Sequence, residues 1–310
     1  MKLRFLINAF GVYFLTLILI SCDSVQSNPT PEQFSNAPDT IIQEVRISDT
    51  CFYNYAWLEE VTSYQSLMNI IRTPLNYYRG SNHDNSFASW LCHLPISSNE
   101  KVYLYDGQEK YNQNAQFKVI NIDVGTKDLQ QCADAVMRLR AEYLYSTNQF
   151  DKIKFNYTNG KTIAFNKWQQ GHFPKLVGNN ISWVASSSNN GSYQSFRRYM
   201  DNIFTYAGTS SLSKELIQVE SIKDIKAGDV FIRGGFPGHA VIVVDVCENK
   251  ENNDKCFLLA QSYMPAQNIH VLKNPNNLKL SPWYSIKEIE DYVITPEWTF
   301  DVNELKRFKE

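Results

Sequence analysis

The sequence predicts an α+β fold in which one helix packs against an antiparallel sheet. Strands are expected at residues 230–233, 240–246 and 257–260, because these apolar, β-branched runs are separated by glycine, proline, asparagine and aspartate. A helix is expected to open at Asp128, with Gln131 three residues later completing a capping box. Its buried face is predicted from apolar residues spaced by three and four positions, namely Leu129, Cys132, Val136, Leu139 and Tyr143.

Length and composition set the scale of the protein. The chain has 310 residues, of which 43% are hydrophobic and 14% aromatic, so it can bury a large core in one globular domain with or without a smaller subdomain. The formal net charge of −2 lacks the basic excess typical of nucleic-acid-binding proteins. We therefore expect no nucleic-acid partner.

The N-terminus has the pattern of a secretion signal. A basic start at residues 1–4 precedes an apolar run at 5–20, which is short for a membrane span. The run ends in Leu-Ile-Ser-Cys, which resembles the bacterial lipobox, so residues 1–21 are predicted to be a lipoprotein signal peptide and Cys22 the acylated first residue. An uncleaved anchor helix is the alternative. Residues 22–40 are polar and rich in proline, serine and asparagine, and are expected to form a flexible tether. The protein is thus expected in the cell envelope, held to a membrane by lipid, with the membrane and leaflet left open.

Two further segments complete the predicted organisation. Residues 41–125 mix helical periodicity with large aromatic side chains and are predicted to form a mostly helical N-terminal subdomain. Residues 126–310 are predicted to form the α+β domain.

The cysteines can be sorted by position. Cys247 and Cys256 flank a polar hairpin loop and are expected to pair, and Cys51 could pair with Cys92 in the N-terminal region. Cys132 is then the one cysteine of the five that these two disulfides leave unpaired. All five could instead be small buried apolar residues.

Two residues stand out as a candidate catalytic pair. A cysteine near a helix N-terminus has its pKa lowered by the helix dipole, and Gln131, with Gln130, could offer donors to an oxyanion. His239 lies where a glycine- and proline-rich turn enters the central strand, a position that can hold a base in a cleft. Cys132 as a core residue and His239 as a structural histidine are the alternatives.

Metal and cofactor sites are not expected. No HExxH or CxxC pattern surrounds the other histidines, and the glycine-rich turn before His239 is followed by a strand rather than the helix of a dinucleotide site. These histidines are His83, His93, His172 and His270.

Several short motifs resemble the cysteine, histidine-dependent amidohydrolase/peptidase (CHAP) domains and the NlpC-type cell-wall peptidases. In chain order they are Gln131-Cys132, Gly228-Asp229-Val230-Phe231, Gly238-His239-Ala240-Val241-Ile242-Val243 and Ala260-Gln261-Ser262-Tyr263. The resemblance implies a papain-like core, in which a Cys-bearing helix packs on an antiparallel sheet. It also implies that Cys132 is the nucleophile and His239 the general base.

The resemblance leaves the third catalytic position open. An acidic residue or asparagine is usual there, whereas this chain has Ala260, Gln261 or Ser262. Gln261 can accept a hydrogen bond from the imidazole, as asparagine does in papain-like enzymes. Asp229 and Ser262, with Gln131, are expected to support the site.

Over residues 40–310 the chain is also similar to an uncharacterised family of bacterial lipoproteins, domain of unknown function 4846. The segments DLQQCADAVMRLRAEYLY, GHAVIVVDV and LLAQSYMPAQ carry this similarity. It implies no known activity.

Two functions follow from these patterns. The first is an envelope cysteine amidase or endopeptidase that acts on peptidoglycan peptides without a cofactor. The second is a non-catalytic lipoprotein of the same fold that binds a glycan, a peptide or a protein.

We predict that mass spectrometry of the mature protein will find a lipid-modified Cys22 as its first residue, because the basic start, the apolar run and Leu-Ile-Ser-Cys coincide. Cys22→Ser is the matched control and should retain the signal segment. An unmodified Cys22, or a mature chain that begins elsewhere, contradicts this assignment.

Overall fold

The computed structural model describes residues 53–58, 64–80 and 85–309. The predicted signal peptide, Cys22, the tether and Cys51 lie outside these residues. No helix in the described ranges is long and apolar enough to span a membrane. The described residues form one compact unit.

The described residues contain six α-helices, of which the third and fifth are long. They are α1 (Leu67–Ile70), α2 (Phe87–Cys92), α3 (Cys132–Ser146), α4 (Phe165–Gln169), α5 (Tyr193–Tyr206) and α6 (Thr209–Glu215). Single 3₁₀ turns occur at Phe150–Lys152, Ile222–Asp224, Ile286–Glu288 and Val302–Glu304.

Fifteen strands lie in the same ranges. In chain order they are β1 (Tyr78–Arg79), β2 (Gln116–Val119), β3 (Lys154–Asn156), β4 (Thr162–Ala164), β5 (His172–Val177), β6 (Asn180–Ala185), β7 (Ile217–Gln218), β8 (Val230–Arg233), β9 (His239–Asn249), β10 (Asp254–Gln261), β11 (His270–Leu272), β12 (Tyr284–Ser285), β13 (Tyr292–Ile294), β14 (Thr299–Asp301) and β15 (Leu305–Arg307).

Nine of these strands form one antiparallel sheet, and this confirms the predicted α+β class. The strand order is β2-β11-β10-β9-β8-β15-β7, with β1 added beside β9 and β12 beside β10. The three predicted strands correspond to β8, β9 and β10 at its centre. Three separate two-stranded hairpins, β3-β4, β5-β6 and β13-β14, surround it.

The central strands are buried on both faces. Along β9, Ala240 and Ile242 belong to a core shared with α3 and α5, whereas Val241 and Val243 belong to a second core with Phe300. This alternation follows from the two-residue period of a strand. Burial on both faces also explains why β9 reads as an unbroken apolar run rather than as an alternating one.

Helix α3 begins three residues later than predicted. Gln131, not Asp128, is the N-cap, and the backbone N–H of Gln131 donates to the Asp134 carboxylate (3.1 Å), as in a capping box. Asp128 instead accepts hydrogen bonds from the Ala266 backbone (2.7 Å) and from the Gln131 side chain (3.0 Å). Cys132 is therefore the first helical residue.

The predicted helical subdomain at 41–125 differs from what is observed. In its described part, α1 and α2 span four and six residues. Both strands of this region pair with the main sheet, β1 with β9 and β2 with β11. The described part of this segment thus completes the main sheet rather than forming a separate helical body.

A buried arginine ties α3 to its neighbours. Arg138 is fully buried, pairs with Glu142 (2.5 Å) and Asp123 (3.0 Å), and donates to Gln130 Oε1 (2.8 Å) and Tyr193 (3.2 Å). The pairing raises the pKa of Arg138 above its usual value despite its burial. Removal of this side chain would leave Glu142 buried without its cation.

We predict that Arg138→Ala lowers the free energy of unfolding by about 3–5 kcal/mol, the usual cost of breaking a buried ion pair from one side. Urea denaturation measures the change. Lys127→Ala, which removes a partly exposed pair with Asp201, is the control and should shift stability by no more than about 1 kcal/mol. Equal decreases in the free energy of unfolding of the two variants would show that the buried Arg138 ion pairs stabilise the fold no more than an exposed pair does.

Candidate functional site

A cavity of about 380 Å³ lies at the end of the sheet. The turn between β8 and β9, the start of α3 and the segment after β10 meet there. Its lining is mostly apolar and aromatic, with two carboxylates and no lysine or arginine among the described residues that form it. The lining residues are Asp128, Leu129, Gln131, Cys132, Ala133, Asp134, Phe204, Ala207, Gly208, Thr209, Gly235, Phe236, Pro237, Gly238, His239, Tyr263, Met264 and Trp298.

The turn that forms one wall leaves no room for a side chain at Gly238. A Cβ on Gly238 would stand 2.5 Å from both the Gly235 carbonyl oxygen and the Thr209 hydroxyl. Phe236, by contrast, is 98% exposed at the mouth of the cavity. The glycine thus packs the turn against α6, while the phenylalanine presents an apolar ring to solvent.

Cys132 lies at the first position of α3 and is half-buried. Burial and the nearby Asp134 raise the pKa of the Cys132 thiol to about 11, although backbone N–H groups of Ala133 and Ala240 act in the opposite direction. The expectation that the helix terminus lowers this pKa is therefore wrong for the structure as it stands. Desolvation outweighs the dipole, and the thiol is protonated at neutral pH.

Asp134 is the buried acid beside this thiol. It is 6% exposed; one of its carboxyl oxygens caps α3, and the other has no hydrogen-bond partner in the described structure. Burial raises the pKa of Asp134 well above its usual value. It does not pair with Arg138, four positions further along the helix, whose carboxylate partners are Asp123 and Glu142.

His239 is the first residue of β9 and is 2% exposed. Its Nε2 lies 2.8 Å from Gln261 Oε1, which supports the predicted contact between these two side chains. Burial lowers the pKa of His239 to about 4, against the opposing effect of the Gln261 hydrogen bond. The ring lies among three aromatic side chains, Tyr263, Trp298 and Phe300, at centroid distances of 4.7, 5.3 and 5.8 Å.

Cys132 and His239 share the cavity but are not hydrogen-bonded to each other in the described structure. Strand alternation explains the separation. The His239 ring lies on the face of Val241 and Phe300, whereas α3 packs on the face of Ala240. Both residues line one cavity because it lies at the end of β9.

Two of the predicted supporting residues hold the start of α3. Gln131 caps the helix and lines the cavity. Ser262, fully buried just beyond β10, has its hydroxyl 2.9 Å from the carbonyl oxygens of Gln130 and Gln267. Ser262 therefore ties the peptide before Cys132 to the sheet.

Asp229 does not belong to the site. It lies at the opposite end of β8 and forms a two-point ion pair with Arg307 (2.6 and 2.8 Å). It also accepts the Lys226 backbone N–H at 2.8 Å. Asp229 fixes β15 and the turn before β8. The motif similarity had predicted instead that it supports the catalytic site.

The sequence analysis missed Glu297 as a site residue. Glu297 lies in the turn between β13 and β14, and its carboxylate accepts from Gln261 Nε2 at 2.7 Å. No local pattern marks this residue, because 36 positions separate it from Gln261 and only the fold brings the two together. His270, predicted to have no metal partner, also touches Gln261, at 3.4 Å.

The predicted cysteine pairs have different outcomes. Cys247 and Cys256 are directly opposed on β9 and β10, where Cα atoms of an antiparallel pair lie about 4.5–5.5 Å apart, within the range of a disulfide. In this structure both are free, buried thiols, so their oxidation stays a prediction. Cys92 is buried and its thiol contacts the Ser89 carbonyl oxygen at 3.2 Å, while Cys51 is outside the described residues.

In the described ranges, no group of three or more histidine, cysteine, aspartate or glutamate side chains is arranged to hold a metal ion.

Comparison with known proteins identifies the family. The description "Domain of unknown function (4846)" matches residues 67–307, more than half of the chain, so the protein belongs to that family. No curated protein and no solved structure shows significant similarity to the chain.

We predict that the alkylation rate of Cys132 by iodoacetamide rises about tenfold per pH unit up to about pH 11, because only the thiolate reacts and burial holds the thiol in its protonated form. Peptide-resolved mass spectrometry measures the rate at each thiol, with Cys132→Ser as the control. A rate that is already constant between about pH 4 and pH 8 would instead indicate a preformed thiolate–imidazolium pair.

Proposed function

We propose that this family member is a cysteine amidohydrolase or endopeptidase with a papain-like core, which cleaves amide bonds in peptidoglycan peptides of the cell envelope. One observation carries the proposal. Cys132, at the first position of a buried helix, and His239, hydrogen-bonded to Gln261, line the same cavity. A nucleophile, a base and a group that orients the base are the minimum that such chemistry needs.

Three features of this arrangement support a papain-like core. The cysteine begins a helix that packs on an antiparallel sheet, and the histidine lies on a strand of that sheet. A side-chain amide oxygen, from Gln261, contacts the imidazole at Nε2. The remaining nitrogen, Nδ1, is then the atom available to act as the base.

The proposed reaction starts from two neutral groups. His239 Nδ1 takes the proton of the Cys132 thiol as the sulfur attacks the substrate carbonyl carbon, and a tetrahedral oxyanion forms. The backbone N–H of Cys132, at the start of α3, donates to that oxyanion, whereas the N–H of Gln131 is already bonded to the Asp134 carboxylate. His239 then gives its proton to the leaving amine, and water hydrolyses the thioester by the same steps in reverse roles.

Contact between the thiol and the imidazole must form in the substrate complex. The two groups are not hydrogen-bonded in the structure, although both line one cavity. Hydrogen bonds of catalytic pairs often tighten only when substrate binds. Because the His239 ring and α3 lie on opposite faces of β9, this contact requires movement at the strand end, where both groups line the cavity.

The cavity also restricts the substrate. Its two carboxyl groups are Asp128 and Asp134, of which burial shifts Asp134 towards its neutral form, and no lysine or arginine is among the described residues that line it. The segment that enters is therefore uncharged or cationic, and Phe236 at the mouth offers it an apolar surface. Peptides with a free amino group near the cleaved amide meet this requirement, as stem peptides of peptidoglycan do. A lipid on Cys22 would hold the enzyme beside that polymer.

A second function is a binding protein that uses the same cavity without chemistry. The protonated thiol and its lack of a hydrogen bond to His239 favour this alternative. The occupant would then be a peptide, a glycan or a protein segment of the envelope.

We predict that the wild-type protein releases amine groups from purified peptidoglycan fragments, and that Cys132→Ala and His239→Ala abolish the release. Gln261→Ala should lower the rate, because it removes the group that orients His239. Chromatography of the fragments with amine quantification measures the rates.

Thermal unfolding of the four proteins is the control for folding. Similar melting temperatures with the expected loss of activity support the enzyme. Full activity of Cys132→Ala excludes this residue as the nucleophile. Fragment binding by wild type and Cys132→Ala alike, without hydrolysis by either, selects the binding protein instead.

A further inference from the structure

A chain of four buried or half-buried side chains continues beyond His239. Gln261 Oε1 contacts His239 Nε2 at 2.8 Å, and Gln261 Nε2 contacts Glu297 Oε2 at 2.7 Å. Glu297 is in turn held by Lys110 Nζ (2.5 Å) and by Asn112 Nδ2 (3.0 Å). Since Lys110 is also buried, the ion pair is shielded from water.

Hydrogen-bond complementarity fixes the direction of every contact in this chain. A carboxylate that is paired with lysine can only accept, so the Gln261 group facing Glu297 must be the NH₂ donor. A flipped amide would set its oxygen against the carboxylate. The amide oxygen therefore faces His239, and His239 must carry its proton on Nε2 in order to donate.

His270 fixes the amide from the other side. Its Nδ1 lies 2.9 Å from the Asn268 carbonyl oxygen, an acceptor, so the proton of His270 is on Nδ1. The other nitrogen, Nε2, is then an acceptor and faces the second N–H of Gln261 at 3.4 Å. Both hydrogens of the Gln261 amide are thus directed away from His239.

We infer that Glu297 is a positioning residue, which holds the Gln261 amide so that His239 carries its proton on Nε2 and keeps Nδ1 free as the base. This deepens the proposed function, on which the catalytic meaning of Nδ1 rests. The tautomer of His239, however, is a property of the chain itself and can be measured whether or not the protein is an enzyme.

The inference also explains why glutamine occupies the orienting position. A carboxylate at position 261 would lie at the place of the Gln261 amide, about 2.7 Å from Glu297. Two carboxylates at such a distance cannot both ionise. Glutamine at position 261 avoids this repulsion, because its amide donates to Glu297 and accepts from His239. The acidic residue therefore acts on the imidazole through the intervening Gln261 side chain.

The experiment records the protonated nitrogen of His239 by NMR of ¹⁵N-histidine-labelled protein at neutral pH, with His239→Gln to assign the signal. The decisive comparison is Asn112→Ala against the double variant Lys110→Met/Glu297→Met. Asn112→Ala removes one donor to Glu297 but keeps its Lys110 cation and its acceptor oxygen for Gln261. The double variant removes both charges, so no lone buried charge remains to unfold the protein.

We expect wild type and Asn112→Ala to show the Nε2–H tautomer alone, and the double variant to show a mixture with Nδ1–H. Glu297→Gln is the conservative variant and should keep the Nε2–H tautomer, because Lys110 Nζ holds its amide oxygen at the place of Oε2, where it still accepts from Gln261. Retention of the single Nε2–H tautomer in the double variant overturns the inference.

The outcome is separable from that of the proposed function. A tautomer mixture in the double variant, without hydrolysis by any of the proteins, supports the positioning role of Glu297. In that case Nδ1 of His239 does not act as a catalytic base. Hydrolysis by the wild type with an unchanged tautomer in the double variant supports the enzyme and overturns the role of Glu297.

Discussion

The packing of α3 on the centre of the sheet is the interaction on which the rest of this structure depends. The apolar face of the helix shares one core with Ala240, Ile242 and the neighbouring strands. Polar contacts hold its first turn in place, since Ser262 ties the Gln130 peptide to the end of β10 and Arg138 anchors Gln130 from within the helix. The start of α3 is thus fixed at the sheet end, where β9 begins.

Burial at that junction decides the chemistry of the site. The same loss of water that stabilises the core raises the pKa of the Cys132 thiol and lowers that of His239. Both side chains are therefore neutral at pH 7, and an ion pair between them is not the resting form. Any catalysis must transfer the proton during attack, which makes the tautomer and orientation of His239 more important than its basicity.

The polar chain behind His239 shows how this fold accommodates an acid near a buried imidazole. Glu297 is placed by the β13–β14 hairpin, neutralised by Lys110, and connected to the histidine through Gln261. Every contact in the chain has one compatible direction. Buried networks of this kind are costly when partly satisfied, so the fully satisfied arrangement constrains the side chains that form it.

The sequence alone determined the fold class and the central elements. Strands β8, β9 and β10 and helix α3 could be predicted because their periodicity and punctuation are local properties of consecutive residues. Cys132, His239 and Gln261 could be selected because their residue types stand at the ends of those elements. The segments that predicted membership in the domain of unknown function 4846 family lie within residues 67–307, which match that family.

The tertiary structure decided what depends on distance between remote segments. It moved the helix start to Cys132, placed Asp229 with Arg307 away from the cavity, and brought Glu297 to Gln261. It also reversed the direction of the thiol pKa shift, because the loss of solvent at Cys132 comes from the whole surrounding core. Sequence periodicity reports which face of an element is apolar, but the water left at one atom is set by everything that packs around it.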